Sequence, residues 1–267
     1  KWSNGIIDCN CEFGYELQLV IPYAYYLYTK NLLKQTNCCQ LTKELYYFSQ
    51  HHNELYNKRI DGIKSKINVP NKTPHVKYLN TTEYLPPPYK DIYKNDFFIY
   101  DKPLLIIHNK YNNEWNGPPI NFINKMTLEM LLEHCHKKYT IIYIRPNLTN
   151  IIHDNSSIYN LNECGILNKY NVINGNELYK KTKEKYKINN FNHFQLLIHA
   201  NCEKFISVQG GNCVLSSYFG GTNIIYAIKG QELKCGAYNT HYKDYSGCNV
   251  IHTDNYYELI KTVKKLY

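Results

Sequence analysis

Four short stretches of this 267-residue chain carry residue types and spacings that can do chemistry. In SVQGGN, Ser207–Asn212, two adjacent glycines follow a strand-like run and precede an apolar segment. Glycine permits positive φ and close approach of the backbone to a ligand, and the free N–H groups at a helix start face outward with the positive end of the helix dipole. Ser207, Gln209 and Asn212 add polar side chains around Gly210 and Gly211. Asn212 suits a helix cap as well as a ligand contact. The stretch is an anion cradle in type, although an ordinary strand-to-helix turn uses the same residues. It matches neither the dinucleotide fingerprint nor the P-loop.

In HNKYNNEW, His108–Trp115, a cation follows directly on a buried apolar run. Lys110 is there the best single group for neutralising a diphosphate, with Asn109 beside it. Glu114 and Trp115 offer a carboxylate and a stacking surface for a polar ring; a surface lysine and a structural tryptophan are the alternative. In YIRP, Arg145 is one of few arginines among many lysines, and its planar fork suits phosphate or carboxylate, or a structural salt bridge. In FGYELQLVIPYAYYL, Gly14 precedes a helical pattern and Glu16 falls in its first turn. A carboxylate there complements the helix dipole or faces a ligand as a general base. Cys213, after the glycine pair, is a further nucleophile candidate, because a helix N-terminus lowers a thiol's pKa. His134-Cys135-His136 looks metal-like, but positions i and i+2 of a helix point to different sides. No D-x-D, H-E-x-x-H or G-x-S-x-G occurs.

The elements that must position these residues alternate in type. Apolar runs KPLLIIHNK, YTIIYIRP, FISVQ and TNIIYAI read as buried strands. Between and after them, TLEMLLEHCHKK, NGNELYKKTKEKY, FNHFQLLIHANC, VLSSYFG and NYYELIKTVKKLY read as helices. This rhythm indicates parallel βα units, hence an α/β class with a Rossmann-like C-terminal layer. Upstream, Tyr15–Lys34 reads as a helix, TKELYYFS as a strand, and the following stretch to Asn80 as polar connection. YLPPPYKD is an extended connector, since its prolines forbid a helix, and it leads to a domain boundary near residue 100. Ligands of open α/β sheets sit beyond the carboxyl ends of the strands. That rule selects His108–Trp115, Arg145 and Ser207–Asn212.

Bulk properties narrow the function classes. With 43% hydrophobic and 20% charged residues, the chain has a globular rather than a disordered balance. Its net charge of +9 suits anionic partners, yet the cations are scattered. The densest cluster, Lys180–Lys187, contains a glutamate and follows a helical pattern, so nucleic acid is not an expected partner. The ten cysteines include no C-x-x-C pair. Cys135 and Cys202 read as buried thiols, while bridges stay open for Cys9, Cys11, Cys235 and Cys248. The sequons at Asn71, Asn80, Asn147 and Asn155 are expected by chance in an Asn-rich chain. No run reaches transmembrane length.

Taken together, FGYELQLVIPYAYYL, TKELYYFS, YLPPPYK, KPLLIIHNKYNNEW and FISVQGGNCVLSSYFGGTNIIYA resemble a GT-B-type glycosyltransferase. The resemblance is closest to sugar transferases of large DNA viruses, of the chlorella-virus type, and more distant to fucosyltransferase-like enzymes. Those enzymes carry H-x-R-R at a strand end; here His108-Asn109-Lys110 stands at that place, so a GDP-fucose donor is not carried over.

The resemblance implies two Rossmann-like domains facing a cleft. Residues 1–100 would bind a glycan or glycoprotein acceptor, and 101–254 a nucleotide sugar whose base, UDP or GDP, stays undecided. The closing helix over 255–267 would pack back on the N-terminal domain. Implied donor contacts are Asn109, Lys110, Arg145, Ser207, Gln209, Gly210, Gly211 and Asn212, and implied acceptor contacts Glu114 and Trp115. Glu16 is the first choice of base, with His75, Asp96 and Glu114 as rivals. The expected reaction is metal-independent and inverting, with no cofactor beyond the nucleotide sugar. The host cytoplasm is the expected location for a viral enzyme, or the Golgi or ER lumen if an upstream anchor has been removed. A non-catalytic carbohydrate- or nucleotide-binding protein and a Cys213-dependent hydrolase or racemase are the competing readings.

Overall fold

The computed structural model describes residues 4–61, 64–70, 83–152 and 156–267. It is an α/β protein with two sheets. The smaller sheet contains β1 (Ile6–Asn10), β2 (Gln35–Cys39), β3 (His52–Tyr56) and β4 (Lys66–Ile67) in the order β3-β2-β1-β4. Its first three strands are parallel and β4 pairs antiparallel with β1. The larger sheet contains β5 (Leu104–His108), β6 (Thr140–Ile144), β7 (Ile173–Asn174), β8 (Lys204–Val208), β9 (Thr222–Tyr226) and β10 (Asn249–Thr253), every pair of them parallel.

The order of the larger sheet, β10-β9-β8-β5-β6-β7, decides where a ligand can enter. The chain starts in the middle at β5, runs outward through β6 and β7, then returns to β8 on the other side of β5. The two crossovers leave β5 in opposite directions, so a crevice opens beyond the carboxyl ends of β5 and β8. This is the Rossmann strand order.

Strands β5 and β9 are buried along their whole length, as the unbroken runs LLIIH and TNIIY require of strands covered on both faces. One apolar cluster joins Ile106, Ile144 and Phe205 of the larger sheet to Ile7 and Cys38 of the smaller one and to Leu17, Val20 and Ile21 between them. The two sheets therefore share a core. The opposite face of the larger sheet is covered by a second cluster containing Leu128 and Leu131 of helix Lys125–Cys135 and Leu259 and Val263 of helix Tyr256–Leu266.

Four sequence expectations need correction. The closing helix packs on the larger sheet beside helix Lys125–Cys135, not on the N-terminal unit, because its apolar stripe meets that sheet's outer face. Tyr267 anchors it, its hydroxyl 2.9 Å from the carbonyls of both Phe205 and Thr222. TKELYYFS is not a strand: Lys43–Tyr46 forms a 3-10 turn, with Leu45, Tyr46 and Phe48 all buried on the same side. The segment taken as polar connection supplies β3 and β4, whose sparse apolar residues gave no alternating pattern. YLPPPYKD is also not extended to its end: past the prolines, which restrict only their own positions and the residues before them, Tyr89–Tyr93 forms a short helix.

The docking of the closing helix is testable by two substitutions. Leu259 is fully buried and Tyr257 is 72% exposed. Leu259→Ala is expected to destabilise by about 2–5 kcal/mol in urea unfolding, and Tyr257→Ala by less than about 0.5 kcal/mol. Equal effects would contradict this packing.

Candidate functional site

A cavity of about 380 Å³ opens where the strands of both sheets end. Glu12, Phe13 and Gly14 reach it from beyond β1, Arg59 and Asp61 from beyond β3, and Lys110, Arg145 and Gln209 from beyond β5, β6 and β8. The wall beyond β1 is the start of a composite helix: an α-helical turn Phe13–Tyr15, a π-helical segment Glu16–Val20 and an α-helix Ile21–Thr29. Its N-cap residue, Glu12, makes no side-chain cap.

Opposite lies the glycine turn after β8. Gly210 has φ +134°, which side chains rarely tolerate, and it precedes helix Gly211–Ser216. A Cβ on Gly211 would come within 2.6 Å of Phe13 Cδ1 and 3.3 Å of the Gly14 nitrogen, and one on Gly14 within 3.7 Å of Gly211 Cα. The two helix starts lie side by side, and at Gly211 only glycine fits against the Phe13 ring.

Lys110 crosses the crevice between β5 and β8. Its Nζ donates to Gln209 Oε1 at 3.1 Å and lies 3.2 Å from Glu114 Oε2. Gln209 Nε2 donates onward to Glu232 Oε2 at 3.0 Å. Glu114 is buried and also accepts from the backbone N–H of Asn121 at 2.8 Å and from its side-chain amide at 2.7 Å. Asn121 in turn donates to the Lys229 carbonyl at 2.9 Å and accepts from the Ile228 N–H at 2.9 Å. Glu114 thus lines the cavity while fixing its own loop and the charge of Lys110. Trp115 stands at the rim, half exposed, with φ +48° and the Lys229 ammonium 5.4 Å from its ring centre.

The remaining sequence candidates separate. Gly210, Gly211, Asn212, Asn109 and Arg145 line the cavity. Asn109 spends its amide on the Ile123 carbonyl and the Tyr143 hydroxyl, holding the loop that carries Lys110. Asn212 is not the helix cap, a place taken by Gly210. Arg145 is held by Glu163 at 2.7 and 3.0 Å and by the Tyr159 carbonyl at 2.5 Å, the salt-bridge alternative. Ser207 is not on the cavity wall: it is fully buried and donates to Asn223 Oδ1 at 2.8 Å. Asp96 is exposed and away from the cavity, and His75 lies outside the described residues.

Glu16 is corrected most sharply. It is fully buried, ion-paired with Arg59 Nη1 at 2.7 Å and hydrogen-bonded by the Tyr46 hydroxyl at 2.9 Å. Arg59 Nη1 also donates to the Cys11 carbonyl at 2.9 Å, so the pair pins the composite helix to the chain beyond β3. Glu16 faces the core through the π-helical turn rather than the cavity. Cys213 is likewise buried; its Sγ lies 3.0 Å from the Gly210 carbonyl, and burial pushes its thiol up to about 12, so the thiolate the Cys213 reading requires is disfavoured.

Beneath the cavity two imidazoles touch. His108 Nε2 and His199 Nε2 are 2.8 Å apart, and His199 Nδ1 lies 2.6 Å from the Gln195 carbonyl. A carbonyl only accepts, so His199 carries its proton on Nδ1. Burial pushes His199 down to about 3 and, with the repulsion of His199, pushes His108 well below its ordinary range. Both rings are therefore neutral near pH 7. His199 Nε2 is then an acceptor, His108 Nε2 the donor, and His108 Nδ1 a bare lone pair.

No family model, curated protein or solved structure matches the chain. Among the described residues no group of three or more His, Cys, Asp or Glu side chains is placed to hold a metal ion, and no helix is long and apolar enough to cross a membrane.

Sequence reasoning found Lys110 and the glycine turn but missed Arg59, Asn121, Gln195, His199 and Glu232. Each lies outside the quoted motifs and reaches the site only through folding. His199 and Gln195 were hidden in a helix whose apolar pattern explained them as core.

Two outcomes follow from these buried groups. Arg59→Ala leaves the Glu16 charge buried and unpaired and is expected to cost about 3–5 kcal/mol in chemical denaturation; a loss below about 1 kcal/mol would refute the pairing. For His199, the unfolded chain takes up a proton near 6.5 and the folded chain only near 3. The unfolded state binds more protons in between, so stability falls as pH drops through that window, by up to about 1.4 kcal/mol per pH unit. His199→Asn should flatten this acid slope in denaturation series between pH 7 and pH 4; an unchanged slope would show that His199 is already protonated in the folded state.

Proposed function

We propose that the chain is a GT-B-type glycosyltransferase that moves a sugar from a nucleoside-diphosphate donor to a hydroxyl of a glycan or glycoconjugate. The observation that carries this reading is the bridge from Lys110 to Gln209 at the crevice between β5 and β8. The reversal of strand order there makes that crevice the place where an α/β sheet takes a nucleotide. The second sheet supports the reading by sending the ends of β1 and β3 into the same cavity, as two facing units would.

In this mechanism the diphosphate lies along the Gly210–Gly211 turn, and Lys110 leaves Glu114 to neutralise the charge that grows on the leaving oxygen. The acceptor hydroxyl attacks the anomeric carbon from the opposite side, giving inversion without a metal ligand set. With Glu16 in the core and Glu114 engaged, the cavity-wall carboxylates Glu12, Asp61 and Glu232 are the groups to take the hydroxyl proton. Trp115 at the rim offers a stacking face to an acceptor sugar.

A binding protein without turnover is the second reading. One observation favours it: each cation on the cavity wall, Lys110, Arg59 and Arg145, already faces a carboxylate. Release of nucleoside diphosphate from a nucleotide sugar separates the two, since a binding module leaves the donor intact.

A thermal-shift panel of UDP, GDP, CMP and ADP identifies the base, because a ligand of the native state raises its melting temperature. Lys110→Ala should then weaken the preferred diphosphate by about 1.5–3 kcal/mol, roughly ten- to 150-fold. Arg145→Ala should instead lower stability with a smaller effect on affinity. Unchanged diphosphate affinity in Lys110→Ala would refute the donor site.

A further inference from the structure

Buried side-chain polar atoms without a protein partner gather around the cavity. Four of the seven among the described residues belong to its wall: His108 Nδ1, Gln195 Oε1, Asn112 Oδ1 and Arg145 Nε. The other three are tyrosine hydroxyls elsewhere. A buried acceptor left unsatisfied costs stability, so its retention calls for a use.

His108 and Gln195 form one unit. The hydrogen bonds that run from the Gln195 carbonyl through His199 to His108 fix the tautomer of both rings and leave His108 Nδ1 as an acceptor with nothing to accept. Gln195 Oε1 stands in the same condition on the same helix turn. Both residues are nearly fully buried, at 1% and 2% exposure, and both line the cavity. The Gln195 amide is held by one weak contact, Nε2 to Asn192 Oδ1 at 3.4 Å, so its terminal torsion is free to turn toward a ligand. The His108 ring is held in place by its bond to His199.

We propose that His108 Nδ1 and Gln195 Oε1 are a hydroxyl-recognition pair, accepting hydrogen bonds from hydroxyl groups of a sugar ring bound in the cavity. The inference deepens the transferase reading, on which it rests for taking that ring as part of the substrate. His108 Nδ1 is a neutral acceptor that a phosphate oxygen cannot satisfy, and Gln195 Oε1 offers a second acceptor to an O–H donor. This divides the roles on the cavity wall: Lys110 and the Gly210 turn meet anionic oxygens, and His108 with Gln195 meets hydroxyls. The depressed basicity of both imidazoles suits a group that accepts a hydrogen bond without taking the proton, which makes His108 a specificity residue rather than the base. A site built to bond a hydroxyl discriminates strongly, because an analogue lacking it leaves the acceptors unpaired.

Two variants alter the acceptors while keeping the surroundings. His108→Gln keeps an N–H donor toward His199 and replaces the Nδ1 lone pair by a displaced amide oxygen, so Gln195→Met is the variant that removes an acceptor outright. Gln195→Met keeps the length of the side chain and the backbone carbonyl that bonds His199. Titration of the full chain with UDP-glucose and GDP-mannose, with UDP and GDP, and with methyl α-glucoside and methyl α-mannoside reads both roles. The expected result is a loss of about tenfold or more for sugar-bearing probes, little change for UDP or GDP, and an equal or higher melting temperature without ligand. Sugar affinity within about twofold of the parent in Gln195→Met overturns the proposal whether or not His108→Gln folds, and points to an ordered water as the partner of these atoms. Equal loss for sugars and bare nucleotides, or no binding of any sugar-bearing probe, overturns it too. Methyl glycoside binding that the variants abolish, with no nucleotide binding at all, upholds the pair and refutes the donor site; unaffected nucleotide-sugar binding does the reverse.

Discussion

The cavity depends on one steric condition, the close approach of Gly211 to Phe13 and the Gly14 backbone. Two helices, one after β1 and one after β8, start side by side, and a side chain at Gly211 would run into the Phe13 ring. Their approach brings the ends of β1 and β8 onto one volume and closes the crevice that the strand order opens between β5 and β8. Any larger residue at Gly211 would push against Phe13 and the Gly14 backbone, and interiors packed to crystal density have little room to yield. The π-helical turn that follows Gly14 is part of the same arrangement. It carries Glu16 into the core, where Arg59 clamps the helix start to the smaller sheet.

A second constraint is electrostatic. The three cations of the wall are each matched by a carboxylate on the protein, two of the pairs nearly dry. Two of these pairs are architectural: Arg59 with Glu16 sets the composite helix, and Arg145 with Glu163 sets the loop after β6. Lys110 differs because its partner Glu114 is itself satisfied by Asn121, so the carboxylate stays supported when the ammonium turns to another anion. In the proposed reaction this support leaves Lys110 as the exchangeable charge.

What the sequence revealed and what it hid follow from range of interaction. The buried parallel strands β5, β6, β8 and β9 were legible because a strand covered on both faces is an apolar run, bounded here by glycine, proline and asparagine. The position of Lys110 and of the glycine turn was legible for the same reason, since strand ends locate themselves. Glu16 was misread because its helical position was right but its facing was not; a single π turn rotates a side chain from cleft to core. The edge strands β3, β4, β7 and β10 were missed because edge strands with one exposed face need few apolar residues, and β1 and β2 were missed because IIDCN and QTNCC mix apolar and polar residues without a run. Arg59, Asn121 and the His108–His199 pair are joined over long stretches of chain, and no local pattern announces such partners.

The central claim is that both sheets build one ligand cavity. Amide hydrogen exchange on the full chain, with and without a saturating nucleoside diphosphate or nucleotide sugar, tests it most directly. The account predicts slowed exchange at residues 12–15, 108–115 and 208–212 together on addition of the same ligand. Protection confined to one of these segments, or absent from all three at saturation, would contradict it.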